Sequence, residues 1–103
     1  GGNLKVDMTI EEIVKKVSEI SNVPEKEIVG KSRKMEIAQA RQVSMFLSRE
    51  ILGKSLSGIG MYFGGRDHTT VMHAIKTISE KVDSDDVISN TISKLRTDLN
   101  QSF

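Results

Sequence analysis

The run Arg66-Asp67-His68-Thr69-Thr70 brings together side chains that can read or hold nucleic acid. An Asp carboxylate accepts a hydrogen bond from the exocyclic amine of cytosine, a Thr methyl packs on the methyl of thymine, and His donates to a purine nitrogen. Thr hydroxyls and free backbone N–H groups at the start of a helix bind phosphate oxygens. The run also has a purely structural interpretation, because Asp67 is a favoured N-cap residue.

A short helix, a turn and a longer helix position this run. Ser55 can cap a helix from Leu56 to about Phe63. Gly64-Gly65 then predict a turn, since a left-handed backbone is cheap only for glycine. A second helix runs from about His68 to Val82. This order is typical of a helix-turn-helix, in which the start of the second helix enters the DNA major groove. The outline alone is not specific, because many helical bundles contain short helix pairs.

The N-terminal part of the chain predicts two further helices. Thr9 and Glu12 form a capping-box pattern ahead of apolar residues at helical spacing, which predicts a helix that ends at Ser21. A short helix from Pro24 to about Val29 follows, because proline is favoured at the first helical position. Gly30 is predicted to close it as a left-handed cap.

Residues 34–52 predict the longest helix, which is apolar on two sides and therefore central in the fold. Ser84 is predicted to cap a last amphipathic helix. Met45, Met61 and Met72 are expected in the core.

The fold class that follows is all-α, a compact bundle of about five to six helices that contains a Trp-repressor-like helix-turn-helix. A chain of 103 residues suits one domain. We assign residues 8–103 to that domain and interpret residues 1–7 as a linker or an expression remnant.

Composition excludes several classes of protein. The sequence has no cysteine, which excludes disulfides and zinc-thiolate sites. It shows no membrane-spanning run and no signal-peptide pattern, so a cytoplasmic location is expected. The net charge of +1 hides an asymmetry, since residues 31–76 carry eight Lys or Arg and three Asp or Glu. A basic middle between acidic ends favours an anionic partner, although a solvated basic face would look the same.

The exact residue order of the central region is far more specific than its pattern of helices and turn. The stretch Ile59–Ala74, above all its Gly-Gly-Arg-Asp-His-Thr-Thr run, closely resembles the signature of the DnaA family of bacterial replication initiators. Ala40–Leu47 resembles the long central helix of that family, and Lys31–Lys34 resembles the basic loop ahead of it. The resemblance covers about residues 8–100 and corresponds to the C-terminal DNA-binding domain.

This resemblance implies a monomeric reader of double-stranded DNA at sites called DnaA boxes in the replication origin, located in the bacterial nucleoid. It implies base contacts by Asp67, His68 and Thr69 in the major groove and by Arg33 in the minor groove. It implies backbone contacts by a second set of residues: Arg41, Arg49, Lys54, Leu56, Ser57, Arg66, Thr70 and His73. The family's ATP-binding module is not in this chain, so we expect no cofactor and no metal here.

Other interpretations remain open beside this one. Arg41 and Arg49 can instead pair with Glu36 or Glu50 along their helix. His68 and His73 point about 140° apart on a helix and do not form a shared metal face.

Two other functions compete with a reader of DnaA boxes. An unrelated helix-turn-helix transcriptional regulator would bind as a dimer. A helical adaptor would bind protein through the acidic end helices. An enzyme is disfavoured, because the chain has no Walker-type phosphate loop and no catalytic set.

Overall fold

The computed structural model of the protein describes residues 8–100, and all secondary structure in that range is helical. It contains six helices, in agreement with the predicted all-α bundle: α1 Ile10–Ser21, α2 Glu25–Val29, α3 Met35–Leu52, α4 Leu56–Tyr62, α5 His68–Ser84 and α6 Asp86–Asn100. The predicted linker at residues 1–7 lies outside the described residues, as do residues 101–103.

Helix α1 forms as its sequence predicts. The backbone N–H of Glu12 donates to Thr9 Oγ1 (3.3 Å), and that of Thr9 donates to Glu12 Oε1 (2.9 Å), which completes the capping box. The apolar stripe from Ile10 to Val17 is buried. Burying one such side chain stabilises a fold by about 1.5–3 kcal/mol. This stripe is therefore what fastens α1 to the bundle.

Helix α3 is the centre of the bundle, as its two apolar sides predict. It packs against α1 on one side and against α5 on the other, and it also contacts α2 and α4. Ser44 and Ser48 are fully buried in it, and each hydroxyl donates to the backbone carbonyl four residues earlier. These bonds satisfy the polar atoms inside the core while the small side chains leave space for neighbouring helices.

Two predicted caps differ from the structure. Gly30 is extended (φ −82°, ψ −157°) rather than left-handed. The left-handed caps are Asn22 after α1 and Gly53 after α3. Ser84 belongs to the last turn of α5 and bonds to Glu80, while the Asp85 carboxylate caps α6 by accepting from the next helical N–H groups. Asp and Ser are about equally favoured at the N-cap, so residue type alone could not show whether Ser84 or Asp85 caps α6.

Only one of the three methionines that were expected in the core is buried. Met45 is buried as predicted, but Met61 is 75% exposed and Met72 50% exposed. The predicted core position of these two is therefore wrong. Each lies on the outward face of its helix, whereas Ile59 and Val71 point to the core.

Candidate nucleic-acid interface

The turn between α4 and α5 is built on glycine. Gly64 and Gly65 have φ values of +87° and +76°, as the sequence predicts for this turn. The chain then folds back onto α4, where the Gly60 carbonyl accepts from the backbone N–H groups of Gly65 (2.9 Å) and Arg66 (2.8 Å). A Cβ at Gly60 would collide with the Arg66 carbonyl oxygen. Glycine at these three positions therefore sets the angle at which α5 leaves the turn.

The start of α5 is exposed and polar. Asp67 is its N-cap, as the structural interpretation predicted, although the bond from Thr69 N–H to Asp67 Oδ1 is long at 3.5 Å. His68 Nδ1 lies 3.4 Å from the same carboxylate, and both side chains are more than 60% exposed. A weakly engaged carboxylate beside an imidazole remains available to an outside partner.

The side chains of α5 divide between the core and the solvent. Val71 and Ala74 are buried, whereas His68, Thr69, Thr70 and His73 are exposed. Thr70 and His73 also line a groove between α5 and α3. The structure thus places Asp67, which was predicted to contact bases, and these four predicted contact residues around one exposed helix start.

The basic loop that joins α2 to α3, residues 30–34, lies beside this helix start. Lys31, Arg33 and Lys34 are exposed on it. Lys31, Ser32 and Arg33 line one groove together with residues from the turn and α5, namely Gly65, Arg66 and Thr70. Arg33 is therefore brought close to Thr70 although 37 positions separate them in the sequence.

Arg41 is held inside the protein. It is 6% exposed, and its guanidinium donates to three backbone carbonyls: Ile28 (2.8 Å), Ser32 (3.0 Å) and Glu27 (3.0 Å). Burial and the positive charge of Arg66 lower the pKa of Arg41 below its ordinary value. These contacts replace the alternative pairing with Glu36, while the contact of Arg41 with the DNA backbone stays a prediction.

Arg66 is half-buried and bridges two segments. Its Nε donates to the Phe63 carbonyl (3.1 Å), and its Nη2 donates to the Gly30 carbonyl (2.8 Å). Arg66 therefore links the α4–α5 turn to the 30–34 loop.

A second group of predicted contacts lies at the other end of α3. Arg49 is exposed, and its Nη1 donates to the Lys54 carbonyl (2.8 Å). The alternative pairing of Arg49 with Glu50 is not the one formed, because Glu50 binds Arg96 through two hydrogen bonds.

The short segment that follows α3 presents its polar groups to solvent. Lys54 and Ser57 are exposed, and Leu56 is a half-buried residue packed on the core. Arg49 and this segment thus offer cations, a hydroxyl and backbone N–H groups near the start of α4.

The family model described as bacterial dnaA protein helix-turn-helix matches residues 10–78, which contain both the basic loop and the helix-turn-helix. The chain belongs to the bacterial DnaA family. Relatives named chromosomal replication initiator protein DnaA match nearly the whole chain. The protein from Limosilactobacillus fermentum is 42% identical over 94% of this chain, and that from Ruegeria sp. is 44% identical over 89%. The chain covers 22% and 20% of these two relatives.

The remaining features of this DnaA-family chain narrow the chemistry of the interface. Within residues 8–100, the structure brings together no group of three side chains suited to hold a metal ion. None of the helices in that range is long and apolar enough to cross a membrane.

The sequence did not reveal the contacts of Arg41 and Arg66 with backbone carbonyls. A signal existed for Arg41, because it falls on the same side of α3 as Ala38 and Met45. A basic residue within a stripe that faces another helix is commonly held by hydrogen bonds. Arg66 carried no such signal, since its partner Gly30 is remote in sequence.

Proposed function

We propose that this domain is a sequence-specific reader of double-stranded DNA that binds DnaA boxes at a bacterial replication origin. Helix α5 enters the major groove, and Arg33 enters the adjacent minor groove. The observation that supports this proposal is the groove lined by Arg33 of the 30–34 loop together with Arg66 and Thr70, because it shows that this loop lies beside the start of α5.

The start of α5 has the shape and chemistry for the major groove, which admits an α-helix. Asp67, His68 and Thr69 are exposed at the first turn, where a helix-turn-helix presents its base-reading residues. Thr70 and His73 lie where they can hold the adjacent backbone. The polar atoms at this helix start are exposed, so binding DNA does not require breaking a buried network.

Arg33 is suited to the minor groove because it is an exposed cation on a loop beside the reading helix. The minor groove is narrow and strongly negative in A/T-rich DNA, which attracts an inserted arginine. Arg33 would therefore add a preference for A·T pairs at one end of the site.

Phosphate contacts set the position of the domain on the duplex. Arg49, Lys54 and Ser57 supply exposed donors near the start of α4, with the backbone of Leu56 beside them. Arg66 adds positive charge at the floor of the groove. The predicted phosphate contact of Arg41 is secondary in this proposal, because its guanidinium already holds three carbonyls.

The role in the whole protein is also a proposal, because the chain spans about a fifth of the length of the relatives it matches. We infer that this domain places initiator molecules along the origin as monomers, one per box, in the bacterial cytoplasm. The ATP-dependent steps would belong to the part of the relatives that this chain does not cover. The domain itself would act as a binding module rather than as an enzyme.

Fluorescence anisotropy tests the proposed function. A labelled duplex with the DnaA-box consensus and a scrambled duplex are titrated with the domain at about 0.15 M salt, where charges are screened over about 8 Å. We expect roughly a hundredfold or greater preference for the box, since specific binding is typically tighter than non-specific binding by about 10³-fold or more, with one protein bound per box. Binding as a dimer would instead favour a transcriptional regulator of another kind. Equal binding to both duplexes would refute sequence reading, and binding to neither would point to a protein partner.

A further inference from the structure

The 30–34 loop presents Arg33 but has few apolar groups of its own to fix it. Its exposed side chains are Lys31, Arg33 and Lys34. A loop with such side chains loses backbone and rotamer freedom when it orders on a ligand, and this loss reduces affinity. A loop that is already ordered avoids this cost. Its position in the free protein therefore depends on what holds its backbone.

Arg41 holds the loop from the side of α3. The carbonyls of Glu27 and Ile28 belong to the last turn of α2, and the Glu27 carbonyl also accepts from the backbone N–H of Gly30 (3.1 Å). Arg41 donates to both of them and also to the Ser32 carbonyl inside the loop. One side chain thus caps α2 and fixes the loop that follows it.

Arg66 holds the same loop from the side of the helix-turn-helix. Its backbone N–H donates to the Gly60 carbonyl, and its side chain donates to the Phe63 carbonyl, so both ends of Arg66 are fixed within the turn. The remaining arm of the guanidinium reaches the Gly30 carbonyl at 2.8 Å. The residue that follows Arg66 is Asp67, the N-cap of α5. The loop is therefore tied to the residue just ahead of the reading helix.

The α4–α5 turn lies near the end of α2 at this contact. A Cβ built on Gly64 would lie 3.7 Å from the Val29 carbonyl oxygen and 3.8 Å from Lys31 Cε. The turn thus lies directly against the end of α2 and the start of the loop. The Arg66 bond to Gly30 therefore joins two segments that are already neighbours.

We propose that Arg66, supported by Arg41, is a positioning residue that couples the two readers, so that Arg33 and the start of α5 meet the DNA as one preformed unit. This inference rests on the proposed function, because it takes Arg33 as the minor-groove reader. It assigns to Arg66 a task that a simple phosphate contact would not have, namely control of what Arg33 recognises.

The chemistry of the side chain matters for this task. Arginine presents several N–H donors in a rigid plane, whereas lysine offers a single ammonium on a flexible stem. Arg66 uses that plane to bond Phe63 and Gly30 at once. A lysine at this position keeps the charge but does not reproduce both bonds. The Arg66→Lys variant therefore separates positioning from electrostatic attraction.

The first experiment is a double-mutant cycle on DNA affinity with Arg33→Ala, Arg66→Lys and the double variant, measured on the box. We expect each single variant to lose about tenfold in affinity and the double variant to lose little more than Arg33→Ala alone, because residues that act together are not additive. Losses that multiply in the double variant would overturn the coupling. Lys94→Ala, which removes an exposed charge on α6, serves as the control and should bind as the unchanged domain does.

A set of duplexes, each with one A·T pair of the box changed to G·C, gives the decisive readout. The pairs whose penalty disappears in Arg33→Ala are those that Arg33 reads. We expect Arg66→Lys to reduce the penalty at those same pairs while the penalties at pairs read by α5 stay. An even loss at every pair would show that Arg66 acts on α5 or on phosphate, and would overturn the proposal. If Arg33→Ala leaves the profile unchanged, minor-groove reading by Arg33 fails while box binding stands.

A measurement without DNA checks the mechanism independently. Amide relaxation measured by nuclear magnetic resonance should give backbone order parameters of about 0.85 for residues 31–34 in the unchanged domain. In Arg66→Lys these values should fall below about 0.6. The values in α3 and α5 should not change, which also verifies that the variant folds. A loop that stays equally ordered in Arg66→Lys would refute the positioning role, whatever happens to DNA binding.

Discussion

Helix α3 carries one arginine in its N-terminal half and another in its last turn, and the two make different contacts. At the N-terminal half, Arg41 is buried, and its donors are bonded to the backbone of α2 and the 30–34 loop. At the last turn, Arg49 is exposed and makes one bond to the Lys54 carbonyl. The first end is a place where arginine shapes the protein, and the second is a place where arginine stays available to a partner.

The difference follows from what surrounds each side chain. Near Arg41, the end of α2 and an extended loop leave carbonyls that need donors in a place with little water, and an unmade bond there is costly. Near Arg49, α3 ends in a left-handed Gly53, where the N–H groups of Gly53 and Lys54 donate to the Arg49 and Ser48 carbonyls. The arginine at that end is therefore not required for capping.

The largest expected effect is a difference in the free energy of unfolding between variants of Arg41 and Arg49. Arg41→Ala removes three hydrogen bonds and leaves the Ile28 and Ser32 carbonyls without the donor that Arg41 supplies, so the free energy of unfolding should fall by about 2–4 kcal/mol. Arg49→Ala should change it by less than about 0.5 kcal/mol, as expected for an exposed residue. Urea unfolding followed by circular dichroism measures both variants under the same conditions. Equal unfolding free energies for the two variants would contradict this contrast, because the hydrogen bonds of Arg41 would then not stabilise the fold.

The next largest effect is expected at the exposed start of α5, where substitutions should change DNA binding rather than stability. His68→Ala and Thr69→Ala should each lose about 1–3 kcal/mol of binding free energy on the box and little on a scrambled duplex, since a base contact carries sequence information. Both side chains are exposed, so the unfolding free energy should stay nearly unchanged. Anisotropy titrations on the two duplexes measure the difference. Equal weakening on both would assign these residues to the backbone instead of the bases.

Features that depend on residues close together in the sequence could be predicted from the sequence alone. The helices, the capping box of Thr9 and Glu12 and the glycine turn follow from local preferences, and the structure agrees with each. The predicted contact residues of the first turn of α5 are exposed around one helix start, as the helix-turn-helix pattern implies. Local rules suffice here because the partners are close in the sequence.

The contacts that the sequence did not reveal have a different cause. Gly30, Arg41 and Arg66 are governed by contacts between segments that lie 9 to 36 residues apart. A pattern of residue types does not state which carbonyl a guanidinium will meet across such a separation. Met61 and Met72 fall in a related class, because helical spacing gives the angle between side chains but not which helix faces are covered. Tertiary contacts therefore determine which backbone carbonyls Arg41 and Arg66 bind.

The smallest effect sharpens the comparison from the exposed end. Arg49→Ala should weaken binding to the box and to the scrambled duplex by a similar factor, and the slope of log affinity against log salt should flatten by about one unit, because one phosphate contact releases about one counterion. Titrations on both duplexes at several salt concentrations give this slope, with Lys94→Ala as the control for loss of a distant charge. A loss confined to the box would make Arg49 a base reader, and an unchanged slope would place it off the DNA. Either result would mean that exposure at the end of α3 is not enough to identify a phosphate contact, whereas the predicted result makes burial the property that separates the two arginines.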